Sequence, residues 1–452
     1  MDRHCSDRRE FLLGAVGAAA AMAWPGVARS ADPAAKADRP NILLIVADDL
    51  GWGHVGWQGS KIRTPNLDKL AAEGIQLNRH YVAPVCSPTR SALMTGRYWS
   101  RFGVTNPENR RCLPWDTVTL ASALKSVGYE TAISGKWHLG SKPEWGPRKF
   151  GFEHSYGSLA GGLGPYTHLY RKGEFQRTWH RNDEYIDEEG HVTDLFAGEI
   201  VRRVEAGGDR PLFLYLPFTA PHFPCSEPKE WMDFNPEIPD PSLRLYGAAV
   251  SHMDDAIGRI VAALKKKGKW DNTLVIFFGD NGAPGQNNHG AYPGEYQKLK
   301  LPGTNLPLRG RKGDVYEGGI RTPALVHWPA GLKSGRCDAP LHVIDWMPTL
   351  CGLAGYKADK NLKWDGQDVL AVIRAQTRPP ERTLYCKGPG NQAAVFRGAW
   401  KLIVGKKEPE LYNLDDDMGE KTNLAEKQPD RVAELTKAYE DVKARDNDAV
   451  AR

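Results

Sequence analysis

Two apolar runs that end on acids organise the chain. Residues 42–47 (ILLIVA) continue without a polar break and stop at Asp48 and Asp49; residues 273–278 (TLVIFF) stop, after one glycine, at Asp280, Asn281 and Gly282. An unbroken apolar run of this length predicts a parallel strand covered on both faces. Further strands are predicted over 131–134, 212–217 and 324–327, with helices near 66–74, 117–127, 192–206 and 244–267. In the last of these, Met253, Ile257, Ile260, Val261 and Leu264 fall on one side, and the basic run from Lys265 to Lys269 suits the negative end of the helix dipole. Strands and helices that alternate in this way predict a doubly wound α/β fold, in which ligands collect at the carboxyl ends of parallel strands.

The pattern changes after about Asp365. Short strand candidates over 384–386, 394–397, 400–404 and 411–413 are separated by glycines and charged turns, and a helix comes next over about 429–444. A small antiparallel sheet with one packing helix is expected. The chain therefore divides into an α/β portion over 39–375 and a C-terminal α+β portion over 376–452, preceded by a distinct segment over 1–30. The stretch from Gly282 to Asn305 is crowded with Gly, Pro and Asn and is too long for a routine connection, so it reads either as a substrate lid or as a surface loop.

Composition narrows the function classes. The 452 residues carry 60 Lys and Arg against 55 Asp and Glu, a formal charge of +5 that is spread along the chain, and no global basic field argues for nucleic acid. Asp7, Arg8, Arg9, Glu10, Phe11, Leu12 and Leu13 lead into an alanine-rich run and then Ala28, Arg29 and Ser30, which looks like a twin-arginine export signal cleaved near Ser30. Its apolar run is too short for a hydrocarbon core of ~30 Å, so an exported, periplasmic or secreted protein without a stable membrane span is expected. Seven cysteines without a CxxC spacing signal neither a zinc knuckle nor a disulfide scaffold, and leave room for one or two bridges.

Candidate chemistry lies at several places. Asp48, Asp49, Asp280 and Asn281 supply three carboxylates and an amide oxygen, a hard donor set suited to Ca²⁺ first and Mg²⁺ second, and poor for zinc. Taken singly, DD and DN are also ordinary strand-end turn residues. The string CSPTRSALMTGR places Cys86 at the mouth of a predicted helix capped by Ser87, with Pro88 at its first position and Gly96 at its end. Backbone N–H groups there, with Arg90 one turn on, would favour a thiolate or a bound oxyanion. By its own physics the pentapeptide leaves a buried structural cysteine equally open. Lys136 and His138 come after the strand at 131–134 and face one site if strand alternation persists. His222 comes after the strand at 212–217, and Lys312 lies between glycines in RGRKGDVYEGG. A stretch mixing rings and cations, Tyr166, His168, Tyr170, Arg171, Lys172, Trp179, His180 and Arg181, suits an anionic sugar or an ordinary packed loop.

The string CSPTRSALMTGR resembles the signature of the type I sulfatases in its CxPxR core and downstream TGR, and the DD, GKWH, DN and LRGRK segments match the same family over most of the chain from Asn41 onwards. Within the family the chain is similar to the arylsulfatase B, or N-acetylgalactosamine-4-sulfatase, type, and departs from it in the longer insertion between Asn281 and Leu306. The resemblance implies an alkaline-phosphatase-like fold, with a large mixed, mostly parallel sheet flanked by helices. It implies that a formylglycine-generating maturation enzyme oxidises Cys86, that Cys86 joins Asp48, Asp49, Asp280 and Asn281 around the metal, and that the substrate is a sulfated carbohydrate or a small aryl sulfate. By the family's pattern a hydroxyl of the hydrated aldehyde attacks sulfur, Arg90 orients it, Lys136 and Lys312 neutralise sulfuryl oxygens, His222 protonates the departing alcohol, and His138 draws the proton that releases sulfate. Two other readings share these residues: a phosphoester or phosphonate ester hydrolase of the same superfamily, and a non-catalytic glycan-binding protein in which Cys86 stays a thiol.

Overall fold

The computed structural model describes residues 39–285, 291–296, 305–378 and 380–451. The export-signal segment and most of the insertion after Gly285 lie outside these residues. Ten strands form the main sheet: β1 (Asn41–Ala47), β2 (Ile75–Tyr81), β3 (Glu130–Lys136), β4 (His154–Ser158), β5 (Trp179–Arg181), β6 (Glu184–Tyr185), β7 (Leu212–Pro217), β8 (Thr273–Gly279), β9 (Ala324–His327) and β10 (Gly335–His342). Their order is β10-β2-β9-β8-β1-β7-β3-β4-β5-β6. The central block β8-β1-β7-β3-β4 is parallel throughout, while β9 joins both of its neighbours antiparallel.

The strand alternation shows why the runs carry no polar break. Ile42, Leu44 and Val46 of β1 enter one core, and Leu43, Ile45 and Ala47 enter the other. The second core is closed by α1 (Pro65–Glu73), α4 (Val192–Ala206) and the 26-residue α6 (Pro241–Lys266). α2 (Cys86–Thr95), α3 (Leu120–Ser126) and α8 (Trp346–Leu353) lie on the first, with the short α5 (Lys229–Phe234) and α7 (Glu317–Ile320) as local connectors. In α6, Met253, Ile257, Ile260 and Leu264 are fully buried, as their spacing predicts, and Val261 is half-buried. Each such side chain contributes roughly 1.5–3 kcal/mol relative to exposure. Asp240 caps α6 by accepting from Leu243 N at 2.7 Å, and Lys265 and Lys266 occupy its last turn.

A short helix, α9 (Leu370–Ala375), precedes the second sheet, β11 (Thr383–Lys387), β12 (Ala393–Arg397), β13 (Trp400–Val404) and β14 (Glu410–Asn413), an antiparallel meander with α10 (Pro429–Lys443) against it. Its apolar residues, including Leu384, Phe396, Leu402 and Leu435, are continuous with the core that contains Tyr81 and Met94. β2, β4 and β10 escape prediction from sequence because their residues alternate irregularly or carry several polar groups; pairing partners, not local pattern, make them strands. The six cysteines among the described residues are free and buried. No helix among the described residues is long and apolar enough to cross a membrane.

Candidate active site

Four parallel strands end side by side, and the residues just past their carboxyl ends meet at one edge. Asp48 and Asp49 come after β1, Asp280 and Asn281 after β8, Lys136 closes β3, and His222 lies just beyond β7. The backbone ties these ends together: Asp48 N donates to Ala220 O at 3.0 Å and Asp280 N donates to Ala47 O at 2.8 Å. Asp49 takes a left-handed backbone, φ 66°, which turns its carboxylate back toward the strand ends. Tyr246 holds that turn, its hydroxyl donating to Asp49 O at 2.9 Å and accepting from Gly51 N at 3.3 Å.

α2 delivers Cys86 and Arg90. The helix begins two residues earlier than its composition suggests: Val85 is the cap, Cys86 lies in the first turn, and no side chain caps the start. Ser87 is not the cap; its hydroxyl accepts from Glu108 N at 3.0 Å instead. Gly96 ends the helix in the left-handed conformation, as expected. Thr89, which the sequence does not single out, locks α2 to the site by donating to Asp280 O at 2.7 Å. Lys312 arrives on a loop whose backbone is bonded to both neighbouring segments, Lys312 N to Ala283 O at 3.0 Å and Gly313 N to Pro84 O at 2.8 Å. Asn305 braces the same turn through Ala283 and Gly310.

Each cation takes one acid. Lys136 Nζ lies 2.5 Å from Asp48, Lys312 Nζ 2.6 Å from Asp49, and Arg90 donates to Asp280 at 2.7 Å. His222 Nε2 lies 3.7 Å from Asp49. Lys136 and His138 do not share a face through strand alternation, because His138 has φ 57° and leaves the strand conformation; this left-handed step carries the ring to the site. Gly161 gives it room, since a Cβ there would stand 2.3 Å from His138 Nε2.

The electrostatics result from burial and crowding. Burial and the charge of Asp280 raise Asp48 against the pull of Lys136. Burial alone would also raise Asp49, but Lys312 and His222 overcome it and hold that carboxyl at about 2. Burial and the surrounding cations hold His138 far below the usual histidine range, which favours its neutral ring, and burial lowers His222 while Asp49 works against it. Burial raises the Cys86 thiol, and the opposing Lys136 and Lys312 do not reverse it. Desolvation therefore works against the thiolate that the helix start and Arg90 would favour, and leaves open the bound oxyanion that they would equally favour.

The donor set fits a divalent cation. Asp48 Oδ1 and Asn281 Oδ1 are buried with no hydrogen-bond partner, although each residue's other side-chain atom is bonded. Ligand atoms of Asp48, Cys86 and Asp280 lie within 4.8 Å of one another, as do those of Asp48, Asp49 and His222. Three buried carboxylates and two orphaned hard oxygens are what a Ca²⁺ or Mg²⁺ ion would satisfy. In a second group of possible ligands, His191, Asp194 and His252, the last two have close partners, while His191 Nε2 is buried 3.5 Å from Glu227 without a hydrogen bond. His252 bonds Glu227 at 2.8 Å and faces Asp194 at 3.2 Å, and Arg259 pairs with Asp194 at 2.5 Å.

The rings and cations of 166–181 separate. His168 stacks on Trp179 at 4.4 Å between centroids and bonds Gly190 O; His180 is buried on Gly157 O; Arg181 pairs with Glu199 at 2.8 Å. These are packing groups. Tyr166, Tyr170, Arg171 and Lys172 remain at least partly exposed.

A parallel α/β sheet whose strand ends collect acids, paired cations and histidines around a helix-borne cysteine suits the hydrolysis of anionic esters. The Sulfatase family model matches residues 40–356, and the chain belongs to the sulfatase family, whose members are sulfuric ester hydrolases. It is 36% identical to Arylsulfatase J of Mus musculus over 81% of this chain and 62% of that protein, so it spans under two thirds of that relative. It is 34% identical to N-acetylgalactosamine-6-sulfatase of Rattus norvegicus over 80% of this chain and 71% of that protein. Among solved structures, Ps i-CgsB in complex with k-i-k-neocarrahexaose superposes with a TM-score of 0.83 at 32% identity, covering 91% of this chain and 95% of that one. The large mixed sheet with a smaller antiparallel C-terminal sheet is the alkaline-phosphatase-like arrangement.

Proposed function

We propose that this protein hydrolyses a sulfate ester on a sulfated carbohydrate, through a formylglycine made from Cys86 by a maturation enzyme and a divalent cation, Ca²⁺ before Mg²⁺. The observation that carries this reading is the placement of Cys86 among Asp48, Asp280, Lys136 and Lys312, with two buried oxygens left unpaired. The carbohydrate rests on similarity to Ps i-CgsB, solved with k-i-k-neocarrahexaose, and to N-acetylgalactosamine-6-sulfatase.

Asp48, Asp49, Asp280 and Asn281, with residue 86, would hold the cation, which when bound draws charge from the sulfate oxygens. The oxidised side chain, hydrated, supplies a hydroxyl as nucleophile and a second hydroxyl through which sulfate can leave. Around it the chain's own groups divide the work. Arg90, fixed on Asp280 and on Lys136 O at 2.8 Å, keeps the residue-86 side chain oriented. Lys136 and Lys312 are preorganised cations beside the transferring group, which favours charge that develops in the transition state. Asp280 takes the proton of the attacking hydroxyl; His222, in the protonated form that the Asp49 carboxylate 3.7 Å away favours, gives its proton to the departing alcohol oxygen as the sulfur–oxygen bond breaks, and neutral His138 takes the proton whose loss lets sulfate go.

Export through the twin-arginine-type segment at Arg8 and Arg9 completes the proposal, and would carry a folded, matured protein to the periplasm or beyond. The test is peptide mass measurement at residue 86 of active protein, paired with aryl sulfate and aryl phosphate hydrolysis. An aldehyde at position 86 with preferred sulfate turnover is expected. An unmodified thiol in active protein overturns the reading, and preferred phosphate turnover moves the chain to the phosphoester class.

A further inference from the structure

The basic side chains on the loop over 170–181 are sorted by their partners, and one arginine is left over. Arg181 is taken by Glu199 and Arg177 by Asp187 at 2.7 Å. Arg171 has no carboxylate within ion-pairing distance among the described residues, and its Nε is buried without a hydrogen-bond partner. Its guanidinium hydrogen-bonds the uncharged Tyr292 side chain and lies 5.7 Å from the Tyr170 centroid and 5.4 Å from that of Tyr292. Aromatic faces orient a guanidinium without neutralising it, so the charge stays available.

The position of those rings places the charge. A Cβ on Gly162 would lie 2.8 Å from the Tyr292 hydroxyl and 3.3 Å from His222 Cε1, so Tyr292 and His222 flank the same glycine. Gly161, next to it, abuts His138 Nε2. Arg171 therefore stands one ring beyond His222, the group that faces the departing alcohol. The cations at the sulfate are already matched to Asp280, Asp48 and Asp49; Arg171 is unmatched and belongs to the leaving-group side.

We propose that Arg171 is a specificity-determining residue that binds a second anionic group, a sulfate or carboxylate, on the sugar that carries the scissile ester or on its neighbour. This rests on the sulfatase reading above and adds the substrate class: a polyanionic saccharide, not a singly sulfated one. A guanidinium fork meets such an oxyanion with two charge-assisted hydrogen bonds.

The experiment compares matured wild-type protein with Arg171→Gln and Arg171→Lys on galactose and N-acetylgalactosamine disaccharides bearing one sulfate or two. The readout is the ratio of kcat/KM for the disulfated over the monosulfated sugar. In wild type this ratio should be on the order of 10- to 100-fold, the worth of one hydrogen-bonded charge. In Arg171→Gln it should fall toward one, and Arg171→Lys should restore part of it. A wild-type ratio near one, or an Arg171→Gln ratio equal to wild type, overturns the proposal, including the case in which the variant loses rate on both sugars alike. Calorimetric binding of the disulfated disaccharide to Cys86→Ala protein, with and without Arg171→Gln, reads the same contact without turnover. Failure of the sulfatase reading thus shows as absent hydrolysis by wild type, while failure of the Arg171 assignment shows as unchanged binding.

Discussion

Lys136 reaches across the end of β7 to place its ammonium 2.5 Å from Asp48, with both side chains fully buried. The pair holds one oxygen of Asp48 and leaves the other without a partner, so in the proposed reaction the same contact would serve sulfate charge and metal geometry. Lys136→Ala should lower kcat by about 10²- to 10³-fold, the usual cost of removing a preorganised charge donor. It should also melt earlier than wild type after chelation, because removing one partner of a buried pair strands the other. A rate within about threefold of wild type, far short of that cost, would remove Lys136 from the reaction.

Cys86→Ala should abolish turnover while circular dichroism and melting temperature stay near wild type, since the side chain is small and α2 keeps its other contacts. Cys86→Ser should also fail to turn over, because a sulfated serine has no second hydroxyl through which to expel sulfate. Sustained multiple turnover by either variant refutes the nucleophile.

Asp280→Asn alters a proposed metal ligand and removes the charged partner of Arg90 at 2.7 Å. Metal content after extensive dialysis and activity should fall together. Stoichiometric metal retained in an inactive variant would separate the two roles and count against Asp280 as ligand.

Gly161→Ala tests His138 through space. The added methyl would stand 2.3 Å from His138 Nε2 and must displace the ring. If His138 serves sulfate release, rapid mixing should show a first turnover close to wild type and then a slowed steady state. Equal slowing of both phases would place His138 elsewhere in the cycle.

The network of His252, Glu227 and Asp194 makes stability pH-dependent. Burial alone would lower His252, but Asp194 and Glu227 outweigh it and raise the imidazole to about 9. A folded value above the unfolded value of about 6.5 means that the contribution is complete below that pH and is lost as pH rises through about 9. The wild-type melting temperature should therefore decline between those limits. His252→Gln should start lower and decline less; parallel curves for the two proteins would refute the assignment.

Much of the site was legible because each piece sits at a change of pattern. Asp48, Asp49, Asp280 and Asn281 end apolar runs, and a strand buried on both faces must end where the first charged residue finds solvent or a partner. Cys86 to Arg97 was readable as a unit, though the helix start differs because the side-chain preference of Ser87 lost to its bond with Glu108 N. Tyr246, Thr89 and Asn305 carried no signal: each acts through a hydrogen bond to backbone on a distant segment, and nothing local marks it.

By itself the order of apolar and polar residues determined the parallel core, the C-terminal meander and which acids lie at strand ends, because burial period and strand termination are local consequences of side-chain chemistry. Only the tertiary structure decided which cation meets which acid, that His138 reaches the site through a left-handed residue, that the Cys86 thiol is raised and not lowered, and that Arg171, among the described residues of its loop, is the arginine without a carboxylate. Those are properties of distance and desolvation, and both exist only once strands far apart in sequence lie side by side.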